Sequence, residues 1–204
     1  MKIKSKAMGE YQTNCYIVET SCGEFIIDPG MGAVAWVMQN VSKPVAILNT
    51  HGHFDHVWSN AEISQNLKIP IYCPQNDVFM LSRDPFGLNM KPSIADFEVD
   101  CDSEFLFDDV RIKFHFFPGH APGCSAIEVV ENGEQKLFSG DFIFQGSIGR
   151  VDFPYSNPED MIKSIEKIMK WERDIEIYPG HGSATKLSFE RKNLSAWLGY
   201  LNKL

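Results

Sequence analysis

The chain has 204 residues, 44% of them hydrophobic and 12% aromatic, enough apolar material for one full core, so a single domain over 1–204 is expected. Nineteen basic residues against 27 acidic ones leave a net charge of −8, which argues against a nucleic-acid partner held through phosphates. The basic start Met1-Lys2-Ile3-Lys4 lacks the apolar run of a secretory signal, and no stretch could span a bilayer, so a cytoplasmic protein without a membrane partner is expected. Five scattered cysteines (15, 22, 73, 101 and 124) form no CxxC pair and read as reduced thiols.

Residues 2–7, 13–19 and 24–27 read as strands, the last stopped by Asp28-Pro29-Gly30. A short helix over 33–40 precedes the apolar run 44–49, a buried strand. That strand runs out into Thr50-His51-Gly52-His53-Phe54-Asp55-His56, where Gly52 would allow an unusual backbone angle between two imidazoles. A helix over 55–67, a strand over 69–73 and a short helix over 75–82 follow. Residues 83–100 carry two prolines, a glycine and no sustained period, which marks either a functional lid or a plain surface excursion.

Strands return at 104–107, 110–117, 125–130 and 135–139. Alternation puts Val110, Ile112, Phe114 and Phe116 on one face, with Arg111, Lys113, His115 and Phe117 on the other. His115 is thus a solvent- or interface-facing residue, not a ligand. Asn157-Pro158-Glu159-Asp160 is a helix start, with an Asn cap, Pro at the first helical position and acids in the first turn. A strand over 175–178 and an amphipathic helix over 188–202 close the chain. Strands dominate both halves with helices between them, which suits two packed sheets with helices outside.

Five of the six histidines lie in HGHFDH or in two later glycine-rich turns, Pro118-Gly119-His120-Ala121-Pro122-Gly123 and Pro179-Gly180-His181-Gly182. Ser139-Gly140-Asp141 ends another strand. Each candidate stands just beyond a strand, where loops at one end of a scaffold can assemble a site. His51, His53, Asp55, His56, His120, Asp141 and His181 are more ligands than one tetrahedral zinc can use, and they suit two neighbouring metals that share a carboxylate.

These stretches, in this order and across nearly the whole chain, together with SGDFIFQGSIGR (139–150), resemble the metallo-β-lactamase superfamily and, within it, the short glyoxalase II-like hydrolases. The resemblance implies an αββα four-layer sandwich of mixed α/β class with metals at one edge between the sheets. It allots His51, His53 and His120 to a first metal, Asp55, His56 and His181 to a second, and Asp141 to a bridge. Asp28 matches a position that braces the HGHFDH loop from behind. The implied reaction is cleavage of a small-molecule thioester or ester by a hydroxide shared between two divalent ions, with zinc placed first and iron or manganese as alternatives. Asp55 would orient that hydroxide and later take its proton.

Arg150 is a candidate contact for a substrate carboxylate. The chain ends soon after His181, without the C-terminal helical extension that contacts glutathione in full-length glyoxalase II enzymes, and Gly182-Ser183 stands where an aromatic contact is common. An S-lactoylglutathione-type substrate is therefore expected in kind, with glutathione recognition open. Two alternatives stand beside it. Cys124 and the segment from Gly149 to Phe153 also resemble persulfide dioxygenases of the superfamily, which use a single iron, although Cys124 reads most simply as a small buried residue on the following strand. A non-catalytic metal-binding protein on the same fold is the other. β-Lactam hydrolysis is not expected, because those enzymes are exported. Oligomeric state is left open.

Overall fold

The computed structural model describes residues 1–203. Its first half runs β1 (Lys2–Met8), β2 (Thr13–Thr20), β3 (Gly23–Ile27), α1 (Ala33–Asn40), β4 (Pro44–Leu48), α2 (Phe54–Val57), α3 (Asn60–Leu67), β5 (Ile71–Pro74), a 3-10 turn (Gln75–Asp77), α4 (Val78–Arg83) and β6 (Phe97–Val99). The second half runs β7 (Glu104–Phe107), β8 (Val110–Phe116), β9 (Ser125–Glu131), β10 (Glu134–Gly140), β11 (Ile143–Phe144), β12 (Ser147–Ile148), α5 (Pro158–Met169), β13 (Glu176–Pro179), β14 (Thr185–Lys186) and α6 (Leu187–Leu201).

Two six-stranded sheets result, ordered β1-β2-β3-β4-β5-β6 and β14-β13-β10-β9-β8-β7. The central strands β3 and β4 are apolar on both faces because both faces are covered. Along β3 and β4, Phe25, Ile27, Ala46 and Leu48 join Ile112, Phe114, Val129 and Phe138 in the core between the sheets. Their neighbours Ile26 and Ile47 face the other way and pack with Ala33, Val37 and Ile63 from α1 and α3. On the second sheet, Leu137 and Ile177 face outward to Met161, Ile165 and Ile168 of α5 and Leu194 of α6. The layers are helix, sheet, sheet, helix. Among the described residues, no helix is long and apolar enough to cross a membrane.

Three local expectations are corrected, and one element had no expectation. The helix expected over 55–67 is two pieces, because Ser59 leaves the helical ladder to donate its N–H to the Pro29 carbonyl and its Oγ–H to the Gly30 carbonyl. The irregular stretch 83–100 ends in a true strand, β6, where Phe97 pairs with Tyr72 and stacks on its ring at 4.4 Å between centroids. Phe117 lies past the end of β8, so strand alternation no longer governs it, and it is wholly buried against Phe142. The hairpin β11–β12, only two residues per strand, has no sequence period long enough to read. The Asn157 cap is as expected, its Oδ1 accepting from the N–H groups of Glu159 and Asp160.

Candidate metal centre

Strand direction assembles the site. β3, β4, β5 and β6 run parallel, as do β10 and β13. The segments that leave β4, β10 and β13 carry His51 to His56, Asp141 and His181 to one edge of the sandwich. The Gly180 N–H donates to the Gly140 carbonyl at 2.8 Å, which sets the last two side by side. The two sheets are tied across this edge, where Asn14 donates its N–H to the Gly180 carbonyl and its side-chain amide to the Pro179 and Gly182 carbonyls.

Space, more than backbone freedom, explains two of the glycines. Gly52 does not have a positive φ, so an unusual backbone angle of that kind is not what calls for a glycine there. It is required because a Cβ there would come within 2.7 Å of the Asp77 carbonyl oxygen. A Cβ at Gly180 would sit 2.2 Å from Asp141 Oδ1 and 2.7 Å from the His56 ring.

The seven side chains read from the sequence as ligands are brought together. His51, His53 and His120 place one ring nitrogen each within 4.8 Å of the others, and Asp55, His56 and His181 form a second such trio. Asp141 lies between them, with Oδ1 3.2 Å from His56 Nε2, and Oδ2 3.4 Å from both His120 Nε2 and His181 Nε2.

The hydrogen bonds behind the rings fix which nitrogen faces inward. His56 donates from Nδ1 to Asp28 Oδ2, His120 from Nδ1 to the Arg150 carbonyl, and His181 from Nδ1 to the Tyr11 carbonyl. Thr50 Oγ1 donates to Asp28 and lies 3.0 Å from His51 Nδ1, from which it can accept. In its neutral form, the form that binds a metal, each of these rings is thereby left with Nε2 as a lone-pair acceptor. Asp28 also receives the Thr50 N–H at 2.8 Å, so it ties the start of the loop to the His56 ring.

What the inward atoms lack is informative. His51, His53, His56 and His120 each keep a buried Nε2 with no hydrogen-bond partner, and so does Asp141 Oδ1. Buried polar atoms are normally paired, because an unpaired one loses its water for nothing. Five converging lone pairs from imidazole and carboxylate are the donor set of a divalent transition metal. The residues fit the metals that the sequence implies.

Electrostatics point the same way. Burial, then the neighbouring imidazoles of His56 and His53, hold His51 well below the usual histidine range, and burial with His120 pushes His53 down to about 3. Both are free bases at neutral pH, as metal ligands must be. At His56 and His181 burial works in the same direction, but the carboxylates overcome it. Asp55, Asp141 and Asp28 raise His56 well above its ordinary value, and Asp141 with Asp55 raises His181 to about 9. Burial opposes ionisation of Asp55 and Asp141 too, yet His56 and His181 hold Asp55 down to about 2 and Asp141 well below the carboxylate range. Without another cation, this half of the site fills its negative potential with protons.

Several contributors carry no sequence signal of their own. Thr13 Oγ1 donates to Asp55 Oδ2 at 2.6 Å. Asp77 is fully buried and accepts the Gly52 N–H on Oδ2 (3.0 Å) and the Gly123 N–H on Oδ1 (2.6 Å), clasping the HGHFDH loop to the His120 turn. Burial pushes its carboxyl up to about 7 against the pull of those two donors.

Arg150, read as a substrate contact, stands at the rim of the cleft. Its guanidinium is paired with Asp152 through two bonds of 2.8 and 2.7 Å. Phe86, from the irregular stretch 83–100, reaches into the same cleft. Cys124 is wholly buried in the core beneath the second sheet, as a small apolar residue would be.

Comparison with known proteins follows this geometry. The family model described as the metallo-beta-lactamase superfamily matches residues 8–181. The hydroxyacylglutathione hydrolase GloC of Haemophilus influenzae is 32% identical over 207 residues, covering 95% of this chain and 96% of that protein. Among solved structures, TTHA1623 in a di-iron-bound form shares 30% identity at a TM-score of 0.79, covering 93% of this chain and 98% of that one. The BLEG-1 B3 metallo-beta-lactamase shares 28% identity at a TM-score of 0.81, covering 94% and 97%.

Proposed function

The chain belongs to the metallo-beta-lactamase superfamily, and from that premise we propose that it is a binuclear metal-dependent hydrolase of thioesters or esters. In this reading it is glyoxalase II-like, turning an S-lactoylglutathione-type substrate into a hydroxy acid and a thiol. The observation that carries it is the set of five unpartnered buried atoms, spread over two ligand trios with Asp141 between them. Full-length similarity to a hydroxyacylglutathione hydrolase supports the substrate class. His51, His53 and His120 would hold one ion, Asp55, His56 and His181 the other, and Asp141 would be shared. Zinc suits the imidazole and carboxylate set, and the di-iron neighbour makes iron the first alternative.

Ions held there supply Lewis acidity and lower the pKa of water towards about 7. The remaining work falls to the chain. Asp55, steadied by the Thr13 hydroxyl, orients the attacking water and receives its proton. The bonds from His56, His120 and His181 to Asp28, Arg150 and Tyr11 keep the rings aimed without reorganisation during turnover. A thiolate leaves without a strong general acid, so none is needed on the far side.

The test is elemental analysis of the purified protein together with hydrolysis of S-lactoylglutathione. About two metals per chain with thioester cleavage is the expected result. One iron per chain, no cleavage, and oxygen uptake with glutathione persulfide would overturn the proposal.

A further inference from the structure

The cleft over the candidate centre is a space of about 420 Å³, and its walls are more distinctive than its floor. Phe86, Phe144 and Phe153 arrive from three separate segments, and each stands edge-on to a histidine of the site. Ring centroids are 5.5 Å apart for Phe86 and His53, 5.8 Å for Phe144 and His181, and 5.9 Å for Phe153 and His120. Tyr11 extends the wall through an edge contact with Phe54 at 5.1 Å. Tyr11 and Phe153 remain 54% and 38% exposed, so the wall opens to solvent. Exposed aromatic rings gathered around a concave site are costly in water unless they receive an apolar group.

Charge completes the picture. Among the described residues, Arg150 is the only lysine or arginine that lines the cleft. Both bonds of its guanidinium go to Asp152, and its Cζ lies 4.3 Å from the centre of the Phe153 ring. The pair carries no net charge and fixes a ring in place. A thiol bearing two carboxylates, as glutathione does, would lose water against phenyl walls and meet, among the described lysines and arginines of the cleft, only Arg150, which is already paired with Asp152.

We propose that Phe86, Phe144 and Phe153 make the cleft select thioesters whose thiol half is uncharged and apolar over those of glutathione, with Phe153 as the specificity-determining residue. This rests on the reading above as a thioester hydrolase and moves its preferred thiol half away from glutathione. The reaction is unchanged: water adds to the carbonyl carbon, the C–S bond breaks with its electron pair going to sulfur, and a water proton ends on the thiol or in solvent. Nothing is oxidised or reduced.

The experiment compares S-benzyl thiolactate with S-lactoylglutathione, which share an acyl group and have alkyl thiol leaving groups, on wild type and Phe153→Ala. Wild type should show a kcat/KM at least about tenfold higher for the benzyl ester. Phe153→Ala should erase most of that ratio by raising KM for the benzyl ester more than for the glutathione ester, with metal content unchanged. A preference for the glutathione ester, or an equal loss on both substrates, overturns the proposal. Calorimetric binding of benzyl methyl sulfide against S-methylglutathione separates the two claims. Tighter binding of the glutathione thioether overturns the apolar cleft whether or not either ester is cleaved. Cleavage of neither ester, with the benzyl thioether still preferred, overturns only the hydrolase reading.

Discussion

Two places in this molecule gather histidine with carboxylate, and they are finished differently. On the outer face of β8 and β9, His115 Nε2 lies 2.7 Å from Glu128 Oε2, and Arg173 reaches both oxygens of the same carboxylate. Glu128 is buried, yet every inward polar atom of that network has a partner. At the sandwich edge, five inward atoms have none. Residue type therefore does not distinguish a metal centre from a structural ion pair; closure of the hydrogen bonds does. A closed network stabilises the fold by itself, whereas an open one holds its lone pairs ready for something the chain does not supply.

The largest break in this contrast is expected from Asp141→Asn. The amide keeps the shape but removes the charge shared by His56, His120 and His181. Thioester hydrolysis should fall by about three orders of magnitude, with less metal retained per chain. Near-normal turnover with full metal content would remove Asp141 from the centre.

Asp77→Asn should act next. An amide offers one oxygen to two N–H donors, so it must release either Gly52 or Gly123. Metal affinity, measured by competition with a chromogenic chelator, should weaken by about 10- to 100-fold, while activity at saturating metal recovers to within about twofold. A loss of activity that saturating metal does not restore would show that Asp77 acts on more than loop position.

The smallest effect on function, and the clearest on stability, is expected from Arg173→Ala at the closed network. Metal content and turnover should not change. Stability should fall by roughly 1–3 kcal/mol, discounted for the partial exposure of the guanidinium. Burial raises Glu128, but the His115 bond and Arg173 overcome it and hold the carboxyl down at about 2. A depressed acid contributes stability that is present above its ordinary value near 4.5 and is lost as pH falls towards 2. In the variant the carboxyl is less depressed, so the fall in stability between about pH 4.5 and pH 2 should be smaller than in wild type, which thermal unfolding in a series of acidic buffers would show. Identical acid limbs for the two proteins would mean that Arg173 contributes nothing to Glu128.

The candidate ligand histidines were legible because they crowd into short glycine-rich motifs, and the strands because their apolar runs end at Gly, Pro and Asp. His115 was legible as a bystander from alternation alone. Asp77 and Thr13 were not, since each is an ordinary polar residue whose role depends on a partner 25 to 46 positions away, in either direction. The phenyl wall was invisible for the same reason: Phe86, Phe144 and Phe153 come from segments that share no period.

By itself, then, the sequence determined the chemistry on offer, namely seven ligand-type side chains placed after strands, and the layered class of fold. Those are local properties, set by residue type, turn chemistry and period. Tertiary structure decided which nitrogen of each ring faces inward, which carboxylate braces and which stands between the trios, and what lines the way in. Each of these depends on which distant backbone carbonyl or side chain the folded sheets bring within about 3 Å, the reach of a hydrogen bond.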